Sequence, residues 1–546
     1  MKKPAFLLSL FLVYCSVAFA QGMGATFDVE SITATPQKVA LSFRSFQSMP
    51  SSYSLEPYCP TPGNQGNHGT CTAFANGYGI ATILYAKTHE ITDRATIDKH
   101  AFSPSFLYEM IKNDGDNNCQ NGSDPVKAII TMITAGDAFM KTVPYNCNIN
   151  ITDHAVEEAS SYKAKDLAVL YAAKGMSKDD MYFKQPDQFV KDVKKALSEG
   201  TPVSGGFHIP ESFFRIKSAV WEPDPNEGNK DWKHNGHAMV VVGYDDNKAG
   251  GAFRILNSWG TNWADGGFVW IKYNDFARIC ILALQVFADP NTPPPADVKP
   301  KPQPEPKPQP QPKPDPKPQP KPNPNPTPQP DPKPAPSENT FSLKGDVEFQ
   351  LNTGEAMPIK KTSTRNLTVE DDEPVAKEDL VAYTMAETYS SDTKFRMYLN
   401  VDKEAYVYAF ATDLKGHVNR ILPYADNIST LVGANSTIAF PSDTKVIKMD
   451  ENKGRDYLLI LYSATKLDTR AMTDEMNSMK GALSDKIKKV LGNKLIDKSK
   501  IEYYKDKVGF ATKKMSTRNL TVEDDDTKPT PTGGTVVPLM VEIKHN

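Results

Sequence analysis

The hydrophobic rhythm of the 546-residue chain changes several times along its length. Ala5 to Val13 is an unbroken apolar run behind Lys2 and Lys3, too short to span a bilayer, and the small-residue pattern Ala18-Phe19-Ala20 follows it. That is the layout of a secretory leader cleaved before Gln21. No later stretch reaches eighteen apolar residues, so no transmembrane segment is expected in the mature chain. Residues 21 to 56 are weakly patterned. Residues 57 to 289 read as globular and hold all five tryptophans. Ala73, Phe74, Ala75, Ile80, Ile83 and Leu84 suit a helix, and the apolar run after His237 suits a strand. Further on, Phe395, Met397, Leu399 and Val401 alternate with polar or amphipathic neighbours, which predicts a half-buried strand. Strands are also expected at Ala405–Ala411 and, after a turn at Asp413–Gly416, at Val418–Leu422. The apolar run Tyr457–Tyr462 suits a central strand. Met472, Met476, Met479, Leu483, Ile487 and Val490 recur at steps of three and four, predicting one amphipathic helix closed by Gly492, with the methionines in the core.

Composition changes this picture at one place. Proline numbers 44, and 19 of these occupy every even position from Pro300 to Pro336. Half the amides there lack a hydrogen, so the segment can form neither ladder nor core and should be a polyproline II rod. The chain therefore divides into a signal peptide (1–20), a short N-terminal segment (21–56), a globular domain (57–289), a proline-rich linker (290–337) and a β-rich accessory domain (338–546). Charge is balanced, 63 basic against 66 acidic residues, which excludes a general nucleic-acid binder. No Cys-x₂-Cys spacing exists, so neither a metal nor another cofactor is expected. Lys360–Asp372 and Lys513–Asp525 match at twelve of thirteen positions. They read either as a duplicated strand with an acidic turn or as two copies competing for one slot.

After removal of the leader five cysteines remain, Cys59, Cys71, Cys119, Cys147 and Cys280, and an odd count in an exported chain flags a free thiol. Cys71 follows a glycine-rich turn, Gln65-Gly-Asn-His-Gly-Thr, and precedes the predicted helix. A helix N-terminus stabilises a thiolate there. Far downstream stand Gly236-His237-Ala238, with Val242-Gly243-Tyr244 after it, and Asn257-Ser-Trp259-Gly-Thr-Asn-Trp263. In this order and spacing, residues 57 to 289 resemble the papain-like cysteine peptidases. The resemblance implies an α+β, two-lobed domain with Cys71 on a helical lobe and His237 and Asn257 on a β-rich lobe. It makes Cys71 the nucleophile and His237 its ion-pair partner and proton donor. Asn257 would orient the imidazole, and Gln65 would serve as an oxyanion-hole donor. Trp259 would shield the His–Asn bond, and Gly122 would pair with substrate. Asp245 or Asp246 as third member of a transglutaminase-like site is disfavoured by the Asn-Ser-Trp-Gly block, and His68 and His234 read as rim residues.

The chain also departs from that family. His68 stands where the family has a cysteine, and Cys71 to His237 is longer than usual, which suggests an insertion between Asn148 and Gln185. The four structural cysteines allow three pairings; Cys119–Cys147 is favoured, which would leave Cys59 with Cys280 if their Cα atoms approach within about 7 Å. Only 36 residues precede the domain after the leader, so the family's long helical propeptide is not expected. Latency would then rest on the compartment, on the short N-terminal segment or on the C-terminal unit. The accessory domain resembles a bacterial domain of unknown function. The expectation is an exported cysteine endopeptidase (periplasmic, cell-surface or secreted) acting on protein or peptide, with a cell-envelope partner reached through the linker or accessory domain. The alternatives are an inactive papain-fold binding or adhesion protein and a cell-wall peptide amidase.

Overall fold

The computed structural model describes residues 22–227, 236–295, 342–362, 378–412, 416–513 and 534–546. The leader, His234, the proline-rich rod and most of both repeat copies lie outside the described residues.

The helical layer of the first domain is built around the segment that starts at Cys71. It is α-helical over Cys71–Ala73, π-helical over Phe74–Ala81 and α-helical again over Thr82–Thr88. Small residues let it sit deep: a Cβ at Gly77 would lie 2.6 Å from the Asp137 carboxylate, and one at Gly79 would lie 2.7 Å from Val240. Helices Pro104–Ile111 and Pro125–Thr134 pack beside it, each opening on proline behind a side-chain cap, Ser103 and Asp124 respectively. The β layer runs Ala164–Ala172, Cys280–Ala288, Val203–His208, Gly236–Asp245, Ala252–Leu256, Phe268–Lys272, all antiparallel. The strand Gly236–Asp245 is buried along nearly its whole length, hence its continuous apolar run. The stretch between Asn148 and Gln185 supplies helix Asp153–Ser160 and the strand Ala164–Ala172.

Cys119 and Cys147 are disulfide-bonded, with Cα atoms 5.9 Å apart. The expected Cys59–Cys280 bond does not form; both are free and buried. Cys59 closes the turn Glu56–Tyr58, its thiol 3.5 Å from the Leu55 carbonyl. Cys280 opens its strand opposite Phe207, its thiol 3.4 Å from the Leu282 carbonyl. Each thiol has a local acceptor, and burial pushes both pKa values up. Pairing by elimination fixes parity, not position.

The second domain stacks two sheets. One runs Ile359–Lys361, Val381–Tyr389, Val536–His545, Gly454–Ser463, Ala405–Thr412, Val418–Leu422. The other runs Ser436–Phe440, Lys394–Val401, Lys344–Leu351, Val508–Thr512, Ile501–Tyr503. Met397, Leu399, Val407, Ile460, Phe510 and Leu539 meet between them. The run Tyr457–Tyr462 is central as expected, flanked by Ala405–Thr412 and Val536–His545. The single predicted helix is two, Thr469–Ser478 and Leu483–Leu491. Gly481, at φ +106°, breaks it. The apolar spacing runs through the break because Met472, Met476, Leu483 and Ile487 all cover the same sheet face, against Leu459, Leu461 and Met540.

Residues 22–54 tie the domains together. Asp28 caps the short helix Val29–Ala34. The strand Gln37–Lys38 then pairs in parallel with Ala164–Ala172 on one side and with Ile428–Ser429 of the second domain on the other. Ser52–Ser54 returns to pair with the His237 strand at Gly243–Asp245.

Candidate active site

The turn before Cys71 is pinned from several sides. Tyr145 donates to the Gln65 carbonyl at 2.8 Å and lies 3.0 Å from the Thr70 hydroxyl and 3.1 Å from His68 Nδ1. The Cys119–Cys147 bond anchors the facing loop, where the Cys119 carbonyl accepts from the Gly69 amide at 2.6 Å. Cys71 is thereby set at the first turn of its helix and packs against the His237 strand. Its sulfur lies in hydrogen-bonding contact with the main chain of Ala238, the neighbour of His237, and of Thr72.

His237 is fully buried. Its Nε2 lies 2.8 Å from Asn257 Oδ1. The Ser258 amide also donates to that oxygen, at 2.8 Å, so Oδ1 is an acceptor on both counts and Nε2 carries the proton. Nδ1 is therefore the free lone pair, and it has no hydrogen-bond partner among the described residues. Trp259 stacks on the imidazole, centroids 4.8 Å apart, backed by Phe213, Phe214 and Trp263. Gln65 is buried: its Oε1 accepts from the Ser258 hydroxyl at 2.6 Å, and its Nε2 donates to the His68 carbonyl at 2.8 Å and to the Gly22 carbonyl at 3.1 Å. His68 lies at the rim, half-buried.

Residues 22–28 fill the cleft. The Gly22 amide donates to the Gly66 carbonyl, and the Gly24 and Ala25 amides donate to the Gly236 carbonyl, at 2.9, 3.1 and 3.0 Å. Ala25 bridges Ser123 in parallel sense: the Gly24 carbonyl accepts from the Ser123 amide, and the Thr26 amide donates to the Ser123 carbonyl. The Gly24 main chain also contacts the Cys71 sulfur. Approach is so close that a Cβ at Gly22 would fall 1.9 Å from the His68 carbonyl oxygen, and one at Gly24 would fall 2.1 Å from that of Gly69. The residue whose main chain pairs here is Ser123. Gly122 beside it, at φ +73°, supplies the clearance, since a Cβ there would meet the Gly24 oxygen at 2.1 Å.

This cover sets the electrostatics. Burial pushes the Cys71 thiol up to about 11, against the amide contacts that favour the thiolate, and pushes His237 down to about 4, against its bond to Asn257. With the cleft filled, burial favours the neutral form of both the thiol and the imidazole.

The family model described as papain family cysteine protease matches residues 58–288. Residues 58–288 are a papain-family cysteine protease domain. Residues 388–466 match a domain of unknown function, DUF4384, inside the second domain. An uncharacterized peptidase C1-like protein of Acanthamoeba polyphaga mimivirus is 27% identical over 252 residues, 43% of this chain and 74% of that protein. Cathepsin K of Gallus gallus is 26% identical over 214 residues, 39% of this chain; the chain spans 54% of its length. Among solved structures, the cysteine protease xylellain from Xylella fastidiosa aligns with TM-score 0.40 and 20% identity over 50% of this chain and 97% of its own. Bromelain from Ananas comosus aligns with TM-score 0.33 and 17% identity over 44% and 100%.

In the papain-family domain, Cys71, His237, Asn257, Gln65 and Trp259 converge at one end of the cleft, whereas Cys59 and Cys280 have no place there. Sequence reasoning missed Ser258, which holds Gln65, although it stands inside the Asn-Ser-Trp block, and it missed Ser123 and the Gly236 carbonyl, which act through main chain alone. The short N-terminal segment is one of the three places to which the sequence assigns latency, but little beyond the glycines Gly22 and Gly24 marks which of its residues enter the cleft.

Proposed function

We propose that the chain is an exported cysteine endopeptidase that cuts peptide bonds through Cys71, His237 and Asn257. The observation that carries this reading is His237, fixed through Nε2 by Asn257 with its Nδ1 lone pair unclaimed next to the Cys71 strand contact. In an open cleft, the Cys71 thiol gives its proton to Nδ1, and the sulfur attacks the scissile carbonyl carbon, forming the C–S bond. The oxygen that becomes negative accepts from Gln65 Nε2 and from the Cys71 amide. Ser258, by occupying Oε1, turns that Nε2 toward the cleft. His237 then passes its proton to the leaving amine as the C–N bond breaks. Water, deprotonated by the same nitrogen, releases the acyl group from sulfur. Trp259 keeps bulk water off the His–Asn bond.

Two further observations support parts of this reading. The cleft already holds an extended main chain on Gly66, Ser123 and Gly236, the contacts a peptide substrate needs. The disulfide Cys119–Cys147 suits an oxidising compartment, in keeping with the leader-like N-terminus.

The test is peptide-library cleavage by a Gly24→Val chain, in which the cleft-filling residues cannot seat, with Cys71→Ala added as control. Cleavage inside peptides, lost with Cys71→Ala and with His237→Ala, is the expected result. No cleavage of any peptide, with a Cys71 that still reacts with an epoxide thiol inhibitor, would overturn it.

A further inference from the structure

The segment in the cleft does not stop there. Nine residues beyond Asp28, at Gln37, the same chain is gripped by the second domain. Gln37 donates to the Asn427 carbonyl at 2.7 Å, and Ser42 to the Thr437 carbonyl at 2.9 Å. Leu41 bridges Ile438, and Val39 is buried in the second domain's own core. The Asp443 carboxylate takes the Ser42 hydroxyl and the Phe43 amide, both at 2.8 Å. Arg44 pairs with Glu348 at 2.8 Å and lies over the Tyr398 ring at 3.7 Å. At the junction stands Glu199. It is bonded to Lys38 of the segment at 2.8 Å, to Lys195 and Gln285 of the protease domain, and to Ser436 of the second domain. Burial would raise its pKa, but Lys38 and Lys195 outweigh that and hold the carboxyl below its ordinary value, so it stays charged. One chain segment thus has its front half on Cys71 and its rear half sewn to a different domain.

We propose that the C-terminal domain is the latch of this protease: its hold on residues 36–46 keeps residues 22–28 in the cleft, and loosening that hold switches the enzyme on without any cut. This rests on the peptidase reading above and adds its regulation. The front half has holds of its own on the protease domain: main-chain hydrogen bonds in the cleft, Ala25 and Ile32 in the core, and the Tyr182 hydroxyl on the Thr33 and Thr35 carbonyls. The second domain's grip adds to these. Tethering makes its seating intramolecular, at an effective concentration on the order of millimolar, so a firm anchor multiplies occupancy without any new contact in the cleft. A cleft filled 99% of the time lowers activity about 100-fold. Anything that competes for the second domain's surface at Thr437, Asp443 and Glu348 would therefore raise the open fraction.

The experiment uses the full chain in four forms: wild type, Asp443→Ala with Arg44→Ala, Gly24→Val, and all three changes together. Two rates are read, alkylation of Cys71 by iodoacetamide and hydrolysis of a peptide substrate, with thermal unfolding to confirm that each form is folded. Wild type is expected to be slow in both. The grip variant should rise about tenfold or more, Gly24→Val should rise at least as far, and the triple variant should add nothing to Gly24→Val. A grip variant that stays folded and as slow as wild type, while Gly24→Val is fast, overturns the latch and leaves the peptidase standing. Rapid alkylation in both variants with no hydrolysis supports the latch and overturns the peptidase. A wild type already as fast as Gly24→Val overturns the latch as well.

Discussion

The two domains spend their interiors differently. Around the end of the His237 strand the protease domain buries Gln65, Thr72, His237, Asn257 and Ser258, five polar side chains in one neighbourhood. Between its two sheets the C-terminal domain buries Phe349, Met397, Leu399, Val407, Ile460 and Phe510. Burying polar groups costs stability unless each finds a partner, and even then the net gain is small. The second interior is what a fold needs. The first is what a reaction needs, and the fold around it has to supply the compensation.

That contrast can be broken by substitution. Cys71→Ala or His237→Ala should lower kcat/KM about 10⁴-fold or more while leaving the unfolding midpoint nearly unchanged, read by steady-state hydrolysis and thermal denaturation in a Gly24→Val background. A large loss of stability would mean that these residues serve packing instead. Gln65→Ala should cost on the order of 10²–10³ in kcat with little change in KM, because the donor acts on the developing oxyanion. On the other side, Phe510→Ala should destabilise the C-terminal domain by roughly 3–5 kcal/mol in denaturant unfolding. It should also raise hydrolysis in the otherwise wild-type chain, since an unfolded latch cannot hold.

A subtler prediction concerns Asp137, fully buried in the protease domain. Burial pushes its pKa well above the ordinary carboxylate value, and the Glu158 charge adds to this, against the Ala138 amide. A carboxyl whose pKa is raised on folding contributes most below its unfolded pKa, and stability is lost as pH rises through the folded value. Asp137→Asn should therefore stabilise the chain at pH 8 and make little difference at pH 3, measured by urea unfolding at both. The same sign logic applies to the covered site. With Cys71 near 11 and His237 near 4, iodoacetamide should react slowly with wild type across neutral pH and faster only as pH approaches 11. In Gly24→Val the rise should come at lower pH. The smallest effect is expected at Arg44, half-exposed against an exposed Glu348: Arg44→Ala alone should cost less than about 1 kcal/mol of stability.

How far the sequence discloses this molecule depends on how local each signal is. Cys71, Gln65, His237 and Asn257 stand in short motifs at turns and strand ends, where residue type and spacing carry meaning by themselves. The strands at Lys394–Val401 and Gly454–Ser463 are written in alternation and in apolar runs. The break at Gly481 is not, because the apolar period persists across it while the backbone turns. The contacts by which residues 22–46 dock are not legible for a different reason, although the short N-terminal segment and the C-terminal unit are both candidates for latency in the sequence. The cleft half of residues 22–46 acts through main-chain groups that every residue possesses, on partners more than forty positions away, and the rear half pairs with strands nearly four hundred positions downstream.

The stretch from Gly22 to Asp28 is also, in effect, a peptide with its own sequence. Cut loose by a nick before Pro36, it would leave the joint at Gln37–Lys38 intact and become a free solute, diluted from its tethered concentration to whatever the surroundings supply. A synthetic heptapeptide of that sequence should therefore compete poorly at micromolar levels and measurably only near millimolar. Activation by nicking would be a one-way step, whereas activation by letting go at the other end could be taken back.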